Sequence, residues 1–205
     1  LDATFERIFG DAFARREWFA RLLHLSTATT VLRGDSDFSA LGAAALTATG
    51  GSRGVPIGLD ERADLGRALS ALAAYPDVPG AVDTLRSAGW RIFALTNSPA
   101  MTAVAQLTSA GVIDRFEDVL SVEAVGRFKP AREPYLHAAD VIGEEPGALW
   151  MVACHDWDLA GASAVGMRTA YIERPGMTYA SIYPEPTLSA SDMGRLAARM
   201  IAAQV

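Results

Sequence analysis

The first 74 residues carry apolar side chains at helical spacings. Apolar residues recur three and four positions apart, which places them on one face of an α-helix. The clearest groups are Phe5, Ile8 and Phe9; Trp18, Leu22 and Leu25; and Leu65, Leu69 and Leu72. The Gly-rich stretch from Thr49 to Gly54 predicts a loop. Because no strand pattern occurs here, residues 1–74 are predicted to form a small helical bundle.

From about residue 75, short apolar runs alternate with helical segments. The runs predict four strands, at residues 90–95, 118–122, 148–153 and 169–172. Helices are predicted to end at Gly89, Gly111, Gly143 and Gly166, and Gly89 is a good position for a left-handed cap. A terminal helix is predicted over residues 191–203. This alternation implies right-handed crossovers, and therefore an α/β fold with a doubly wound, Rossmann-like parallel sheet.

Candidate chemistry follows from the rule that ligands bind beyond the carboxyl ends of parallel strands. Thr96 and Asn97 follow the first predicted strand, where a helix begins and free N–H groups form an anion pocket. The alternative is a helix N-cap made by Asn97 or Ser98 ahead of Pro99. Lys129 follows the second strand, where its compact ammonium can hold a carboxylate ionised; the alternative is a solvated loop lysine.

The loop after the third strand is the densest polar cluster of the chain. It contains Cys154, His155, Asp156, Trp157 and Asp158. A helix start that favours acidic residues explains one of the two Asp residues as an N-cap, but not the whole group.

Composition draws attention to the same strand ends. Lys129 is the only Lys among the 18 Lys and Arg residues, and Asn97 is the only Asn. Arg serves as the surface cation elsewhere, so a lone Lys indicates a place where the broad guanidinium would not fit. The only Asn, the only Lys and the densest polar cluster fall on three successive strand ends, which chance does not explain comfortably.

Charge and composition narrow the possible partners. The net charge is −6 and no basic stripe is present, which argues against a nucleic acid or an anionic membrane. Cys154 is the only cysteine, so an intramolecular disulfide is impossible, as expected in a reducing cytoplasm. The glycine motifs of dinucleotide-binding, P-loop and serine-hydrolase proteins are absent. A cytoplasmic protein with a small-molecule substrate is therefore predicted.

Taken together, the strand-end residues resemble the haloacid dehalogenase superfamily, and within it the type II 2-haloacid dehalogenases. Thr96 matches the second motif of the superfamily, Lys129 the third and Asp158 the fourth. The similar segments are Leu95–Ser98, Leu120–Val125, Phe128–Pro130, Tyr135 and Trp157–Ala162. The resemblance covers residues 76–172. Residues 1–74 are similar to the helical cap domain of those enzymes, which leaves residues 75–205 as the α/β core.

The resemblance implies hydrolytic dehalogenation of a short 2-haloalkanoic acid, with no metal and no cofactor. An Asp on the first core strand displaces halide from carbon, and water hydrolyses the resulting ester. By this resemblance, Lys129 would hold that Asp ionised. Thr96 and Asn97 would bind the carboxylate of the substrate.

The remaining site residues also take their roles from the resemblance. Asp158 and His155 would position the water or orient Lys129. Tyr135 would line the site and could hydrogen-bond the nucleophile or Lys129. Trp157 would form a wall of the halide or alkyl pocket. The resemblance also implies a homodimer.

Two features depart from the pattern of those enzymes. Their opening motif, an apolar strand that ends in the nucleophilic Asp, is absent, and Asp2 reads instead as a helix cap. We therefore expect about 10–20 further residues upstream of Leu1, enough for one strand and a turn. The cap helix of the dehalogenases carries an Arg that helps to bind halide, and alignment on Trp18 places Phe19 there.

Two other functions stay open. A phosphatase of the same superfamily holds Mg²⁺ with two Asp residues four positions apart, but Cys154, a poor magnesium ligand, stands four positions before Asp158. A non-catalytic binding protein on this fold is the third possibility, since fold alone does not fix function. The motif residues favour dehalogenation.

Overall fold

The computed structural model describes residues 1–203. Within this range the helices are α1 (Asp2–Phe9), α2 (Ala14–Leu32), α3 (Phe38–Arg53), α4 (Leu59–Ser70), α5 (Val78–Ser87), α6 (Ala100–Ser109), α7 (Arg132–Ile142), α8 (Asp156–Ser163) and α9 (Met193–Ala202). The strands are β1 (Phe93–Thr96), β2 (Asp118–Ser121), β3 (Trp150–Ala153), β4 (Arg168–Ile172) and β5 (Leu188–Ala190). None of these helices is both long enough and apolar enough to cross a membrane.

The chain forms two compact units. The helical unit comprises Leu1–Ala73, Thr96–Ile113 and Ser121–Phe128. The α/β unit comprises Ala74–Leu95, Asp114–Leu120 and the chain from Lys129 onwards. The division into a cap domain over residues 1–74 and a core over residues 75–205 stays a prediction.

Aromatic packing holds the helical unit together. Phe5 of α1 is fully buried, and its ring centroid lies 5.4 Å from that of Trp18 in α2. The indole N–H of Trp18 donates to the carbonyl oxygen of Gly42 in α3 over 2.9 Å, which satisfies the polar end of a buried ring. Leu65 of α4 belongs to the same buried cluster. The helical pattern predicted for this part of the chain is confirmed.

The loop predicted from Thr49 to Gly54 is wrong, because α3 continues to Arg53. Glycine is required inside the helix, since a Cβ on Gly50 would lie only 2.5 Å from the carbonyl oxygen of Val55. Gly54 then ends the helix with a φ of 68°, a left-handed conformation that glycine adopts without strain. The glycines therefore mark a close contact and a cap.

The α/β unit contains the expected parallel sheet. β3 pairs with β4 and β4 with β5, both in parallel register, while β1 and β2 form a separate two-stranded sheet. β1 to β4 fall on the four predicted runs. Gly89 has the predicted left-handed conformation, and the other three glycines at which helices were predicted to end also have positive φ. β5 was not predicted, because it is only three residues long and follows a segment that contains Pro184 and Pro186.

An apolar cavity of about 730 Å³ lies within the α/β unit. Residues 93–95 of β1 and residues 150–152 of β3 contribute to its lining, together with apolar side chains of α5, α7 and α9. Leu120 of β2 and Ile172 of β4 also line it. Because β1 and β3 belong to different sheets, the cavity adjoins strands of both sheets.

An ion pair joins three parts of the α/β unit. The guanidinium of Arg174, just after β4, donates hydrogen bonds of 2.8 and 3.0 Å to the carboxylate of Asp77. Asp77 precedes α5 and also accepts a hydrogen bond of 2.9 Å from the backbone N–H of Met193, where α9 begins. The hydrogen bonds from Arg174 are the main reason that the pKa of Asp77 lies below its ordinary value.

Replacing Asp77 with Asn is expected to lower the free energy of unfolding by about 1–3 kcal/mol near pH 7, because a charged hydrogen-bond acceptor is lost. The folded protein depresses the pKa of Asp77, so this stabilisation is present above the unfolded pKa of about 4 and disappears as the pH falls through the folded pKa. Urea unfolding of both proteins between about pH 3 and pH 7 measures the difference.

Asp83→Asn is the matched control. Asp83 also accepts two hydrogen bonds from one guanidinium, that of Arg115, but its side chain is 53% exposed. An exposed pair of this kind contributes about 0–1 kcal/mol. Equal losses in the two variants would contradict the role that we assign to burial.

Candidate functional site

Lys129 and Asp158 form a buried ion pair in the α/β unit. The Nζ atom of Lys129 donates to Oδ2 of Asp158 over 2.7 Å and to the carbonyl oxygen of Leu95 over 3.0 Å. The two charged side chains are only 8% and 6% exposed. Because a single buried charge costs several kcal/mol, each charge depends on the presence of the other.

Tyr135 contacts the other oxygen of Asp158. Its hydroxyl donates to Oδ1 over 2.7 Å and lies 3.0 Å from the backbone oxygen of the same residue. Burial raises the pKa of Tyr135, and the negative charge of Asp158 raises it further. The phenol therefore stays protonated and acts as a donor, and both carboxylate oxygens of Asp158 accept a hydrogen bond.

Local structure fixes the positions of these groups. Tyr135 lies in the first turn of α7, and Asp158 lies in the first turn of α8, where the helix dipole favours a carboxylate. Gly161 of α8 allows the close approach of Tyr135. A Cβ on Gly161 would lie 2.7 Å from the Tyr135 hydroxyl and 2.7 Å from the carbonyl oxygen of Pro130.

The loop between β3 and α8 carries a second group of side chains in the α/β unit. The rings of His155 and Trp157 are stacked, with centroids 5.4 Å apart. Burial lowers the pKa of His155, against the opposing effect of the Asp158 charge, so the imidazole is neutral near pH 7. Burial raises the pKa of the Cys154 thiol.

Thr96 and Asn97 belong to the helical unit; Thr96 is the last residue of β1, and Asn97 lies in the turn between β1 and α6. Asn97 is buried, and Oγ1 of Thr96 accepts a hydrogen bond of 3.0 Å from the backbone N–H of Ser98. Pro99 is the N-cap residue of α6, and its own side chain makes no capping hydrogen bond. The alternative of a cap made by Asn97 or Ser98 is therefore wrong.

Two residues to which the sequence gave no role hold this turn in place. The hydroxyl of Ser121 donates to the carbonyl oxygen of Ser98 over 2.9 Å. The carboxylate of Glu123 accepts a hydrogen bond of 2.7 Å from the backbone N–H of Ala100, the first residue of α6. Both follow β2 within a segment that resembles the dehalogenases, but nothing in their spacing indicates these partners.

Phe19 lies in α2 of the helical unit. It is partly buried against the helical core, and its ring centroid is 6.2 Å from that of Trp18.

Asp2 is not a helix cap, because Leu1 holds that position and Asp2 lies within α1, paired with Arg15.

The sequence-predicted site residues thus divide between the units. Five belong to the α/β unit: Lys129, Tyr135, His155, Trp157 and Asp158. Three belong to the helical unit: Phe19, Thr96 and Asn97. Among residues 1–203, no three His, Cys, Asp or Glu side chains are grouped so that they could hold a metal ion.

Known sequences are similar to most of this chain. The haloacid dehalogenase-like hydrolase family matches residues 11–166. The (S)-2-haloacid dehalogenase 1 of Pseudomonas sp. (strain CBS-3) is 31% identical over 161 residues, which are 77% of this chain and 69% of that protein. A phosphoglycolate phosphatase of Nitrosococcus oceani is 34% identical over 94 residues, 46% of this chain and 42% of that protein.

The fold is similar to that of the L-2-haloacid dehalogenase of Xanthobacter autotrophicus. The TM-score is 0.92 at 23% identity, over 100% of this chain and 92% of that one. In three further curated dehalogenases, the matched segment spans between 51% and 58% of the relative's own length.

Replacing Gly161 with Ala is expected to lower the free energy of unfolding by about 1–3 kcal/mol, because the new methyl group would overlap Tyr135 and a backbone carbonyl that cannot both move away. Urea unfolding measures the loss.

Gly66→Ala is the matched control, since Gly66 also lies within a helix and a Cβ there meets nothing within 4 Å. This control is expected to gain about 0.5–1 kcal/mol from the better helix former. A Gly161→Ala protein as stable as the control would refute the close contact with Tyr135.

Proposed function

Because the chain belongs to the haloacid dehalogenase-like hydrolases, we propose that it hydrolyses the carbon–halogen bond of a short 2-haloalkanoic acid through an aspartyl-ester intermediate. The observation that carries the proposal is the buried assembly of Lys129, Asp158 and Tyr135. This assembly holds an ammonium beside the carbonyl of Leu95, next to the last residue of β1. A cation at a strand end stabilises an ionised carboxylate nucleophile.

The nucleophile of this proposal is an Asp at the end of a strand upstream of Leu1. The cavity within the α/β unit supports it, because β1 and β3 both contribute to the lining and belong to different sheets. A strand in this cavity would be buried on both faces, which suits a continuous apolar run. Leu95 lines the cavity and accepts the hydrogen bond from Lys129, so the end of such a strand would meet the ammonium.

The reaction then has two steps. A carboxylate oxygen of the nucleophile forms a bond to the carbon that bears the halogen, and the carbon–halogen bond breaks with its electron pair leaving as halide. Water then hydrolyses the ester and releases the 2-hydroxy acid. Asp158 and Tyr135 hold the ammonium of Lys129 in position throughout.

Substrate binding is assigned to further residues under the same proposal. Thr96 and Asn97, with help from the backbone, bind the carboxylate of the acid. Trp157 provides an apolar wall for the halogen or alkyl group. Phe19 occupies the position that the resemblance gives to a halide-binding Arg. A cytoplasmic location and a homodimer complete the proposal.

A magnesium-dependent phosphatase is the second candidate, favoured by the similarity to a phosphoglycolate phosphatase. Mg²⁺ requires oxygen ligands. Cys154 stands four positions before Asp158, and burial raises the pKa of its thiol. Both oxygens of Asp158 already accept hydrogen bonds from Lys129 and Tyr135. This set of donors suits Mg²⁺ poorly, which supports dehalogenation over phosphate transfer.

Lys129→Ala, made in the full-length protein, is expected to lower the rate of halide release by at least about a hundredfold, because the positioned cation is lost. Lys129→Arg is expected to recover little of this rate, since the guanidinium is broader than the ammonium and the site is buried. The rate of halide release from 2-chloropropionate measures the activity of both variants.

Arg132→Ala is the control for these variants, because it removes a cation that is exposed at the start of α7. This protein is expected to keep the wild-type rate. A Lys129→Arg enzyme that turns over at nearly the wild-type rate would refute the specific role of the ammonium.

The full-length protein is expected to release halide from chloroacetate or bromoacetate in the presence of EDTA, because no step of the proposed reaction needs a cation other than Lys129. Little hydrolysis of p-nitrophenyl phosphate with Mg²⁺ is expected. Ion chromatography measures the released halide, and the absorbance of p-nitrophenol measures hydrolysis of the phosphate ester. Phosphate-ester hydrolysis that requires Mg²⁺, without halide release, would replace the dehalogenase proposal by the phosphatase. Inactivity in both assays would favour a non-catalytic binding protein.

A further inference from the structure

Hydrolysis of an ester requires a base for the attacking water. Asp158 is poorly suited to this task, since Oδ2 accepts a hydrogen bond from the Lys129 ammonium and Oδ1 accepts one from the Tyr135 hydroxyl, both at 2.7 Å. These contacts make the carboxylate a structural partner of the cation and weaken it as a proton acceptor.

The other titratable side chains beside Asp158 are equally unsuited. Burial raises the pKa of Tyr135 and of Cys154, so the phenol and the thiol both carry their protons near pH 7. Lys129 is the cation of the ion pair. Asp156 already accepts hydrogen bonds from the backbone N–H groups of Trp157 and Ala180, over 2.8 and 3.1 Å. His155 is the side chain of the loop between β3 and α8 that is left as a base.

His155 has the required properties. It is the N-cap residue of α8, and Asp158 lies within the first turn of the same helix. The ring is stacked on Trp157 with an interplanar angle of 27°, which fixes its orientation. The charges of Asp158 and Lys129 both act on the imidazole, so it lies within electrostatic range of the ion pair. A neutral imidazole carries a proton on one nitrogen and a basic lone pair on the other, and Nδ1 of His155 lies 4.0 Å from Sγ of Cys154.

We propose that His155 is the general base that activates water for hydrolysis of the aspartyl ester. This inference rests on the proposed function and adds a catalytic residue to its second step. It also changes the role of Asp158, which positions Lys129 and does not take the proton.

The proposed step balances as follows. His155 takes a proton from water, and the water oxygen forms a bond to the carbonyl carbon of the ester. The bond between that carbon and the alkoxy oxygen then breaks, and the departing alkoxide takes the proton from His155. The products are the 2-hydroxy acid and the carboxylic acid of the nucleophile, which releases its proton to solvent and becomes a carboxylate again.

The test separates the two chemical steps in the full-length protein. His155→Asn and His155→Gln are expected to release one equivalent of halide per active site at nearly the wild-type rate, because the first step needs no base. Turnover after this burst is expected to slow by at least about a hundredfold. Intact-mass spectrometry should then detect the ester of the enzyme with the 2-hydroxy acid. Rapid quenching with 2-chloropropionate, followed by ion chromatography, measures the burst.

His137→Asn is the matched control, because His137 is a partly buried histidine on α7 that has no part in the proposed reaction. It is expected to turn over at the wild-type rate with no accumulated ester. Thermal unfolding of all variants establishes that each one is folded.

The pH dependence provides a second measurement. The groups that act on His155 are Asp158, which raises its pKa, Lys129, which lowers it, and Asp156, which raises it. Burial is the largest effect, so the pKa lies below its ordinary value of about 6.5. Ester hydrolysis in the wild-type protein is therefore expected to fall only below that value, as His155 becomes protonated. The remaining slow hydrolysis in His155→Asn should lack this decline.

Each result decides one of the two proposals. Steady wild-type turnover in His155→Asn, with no trapped ester, would refute His155 as the base and leave the dehalogenase proposal intact. Loss of the first equivalent of halide in a folded His155 variant would assign the residue to the first step. That result would also refute His155 as the base of the second step. Absence of halide release from the wild-type protein would overturn the proposed function, and the proposal for His155 with it.

Discussion

The burial of one lysine against one aspartate sets the requirements for the residues around them in the α/β unit. A buried ammonium needs an acceptor, and Asp158 and the carbonyl of Leu95 provide two. The second oxygen of Asp158 then needs a donor, which Tyr135 provides. The ring of Tyr135 fits there only because Gly161 has no side chain. A single electrostatic requirement therefore fixes the chemical nature of several residues that are far apart along the chain.

The neighbourhood of Lys129 and Asp158 was predicted from the rule that strand ends of a parallel sheet meet, and from Lys129 being the only Lys of the chain. The two side chains do pair, although the strands that precede them, β2 and β3, belong to different sheets. The contacts of Ser121 and Glu123 could not be predicted. Both depend on the path of the turn between β1 and α6, and the path of a turn is decided by tertiary packing that leaves no periodic signal in the sequence. The stacking of His155 on Trp157 could not be predicted from the sequence for the same reason.

The fold was predictable where periodicity and glycine caps agreed, as in β1 to β4 and the helices between them. It was not predictable at Gly50 and at β5, for two different reasons. Gly50 has a poor intrinsic preference for helix, yet it lies within α3. Glycine is needed at this position because the chain at Val55 approaches too closely for any side chain. β5 lacks a signal of its own, since a three-residue strand is too short to show alternation.

The helical unit is assembled from three separate stretches of chain, interrupted by parts of the α/β unit. Two of the points where the chain changes unit fall beside residues of the proposed site, between Leu95 and Thr96 and between Phe128 and Lys129. Genetic recombination exchanges contiguous stretches, so replacing residues 1–73 by those of a relative would transplant only part of the helical unit. The retained segments would still have to match the new helices. An exchange of the whole helical unit would therefore have to carry residues 96–113 and 121–128 along with residues 1–73.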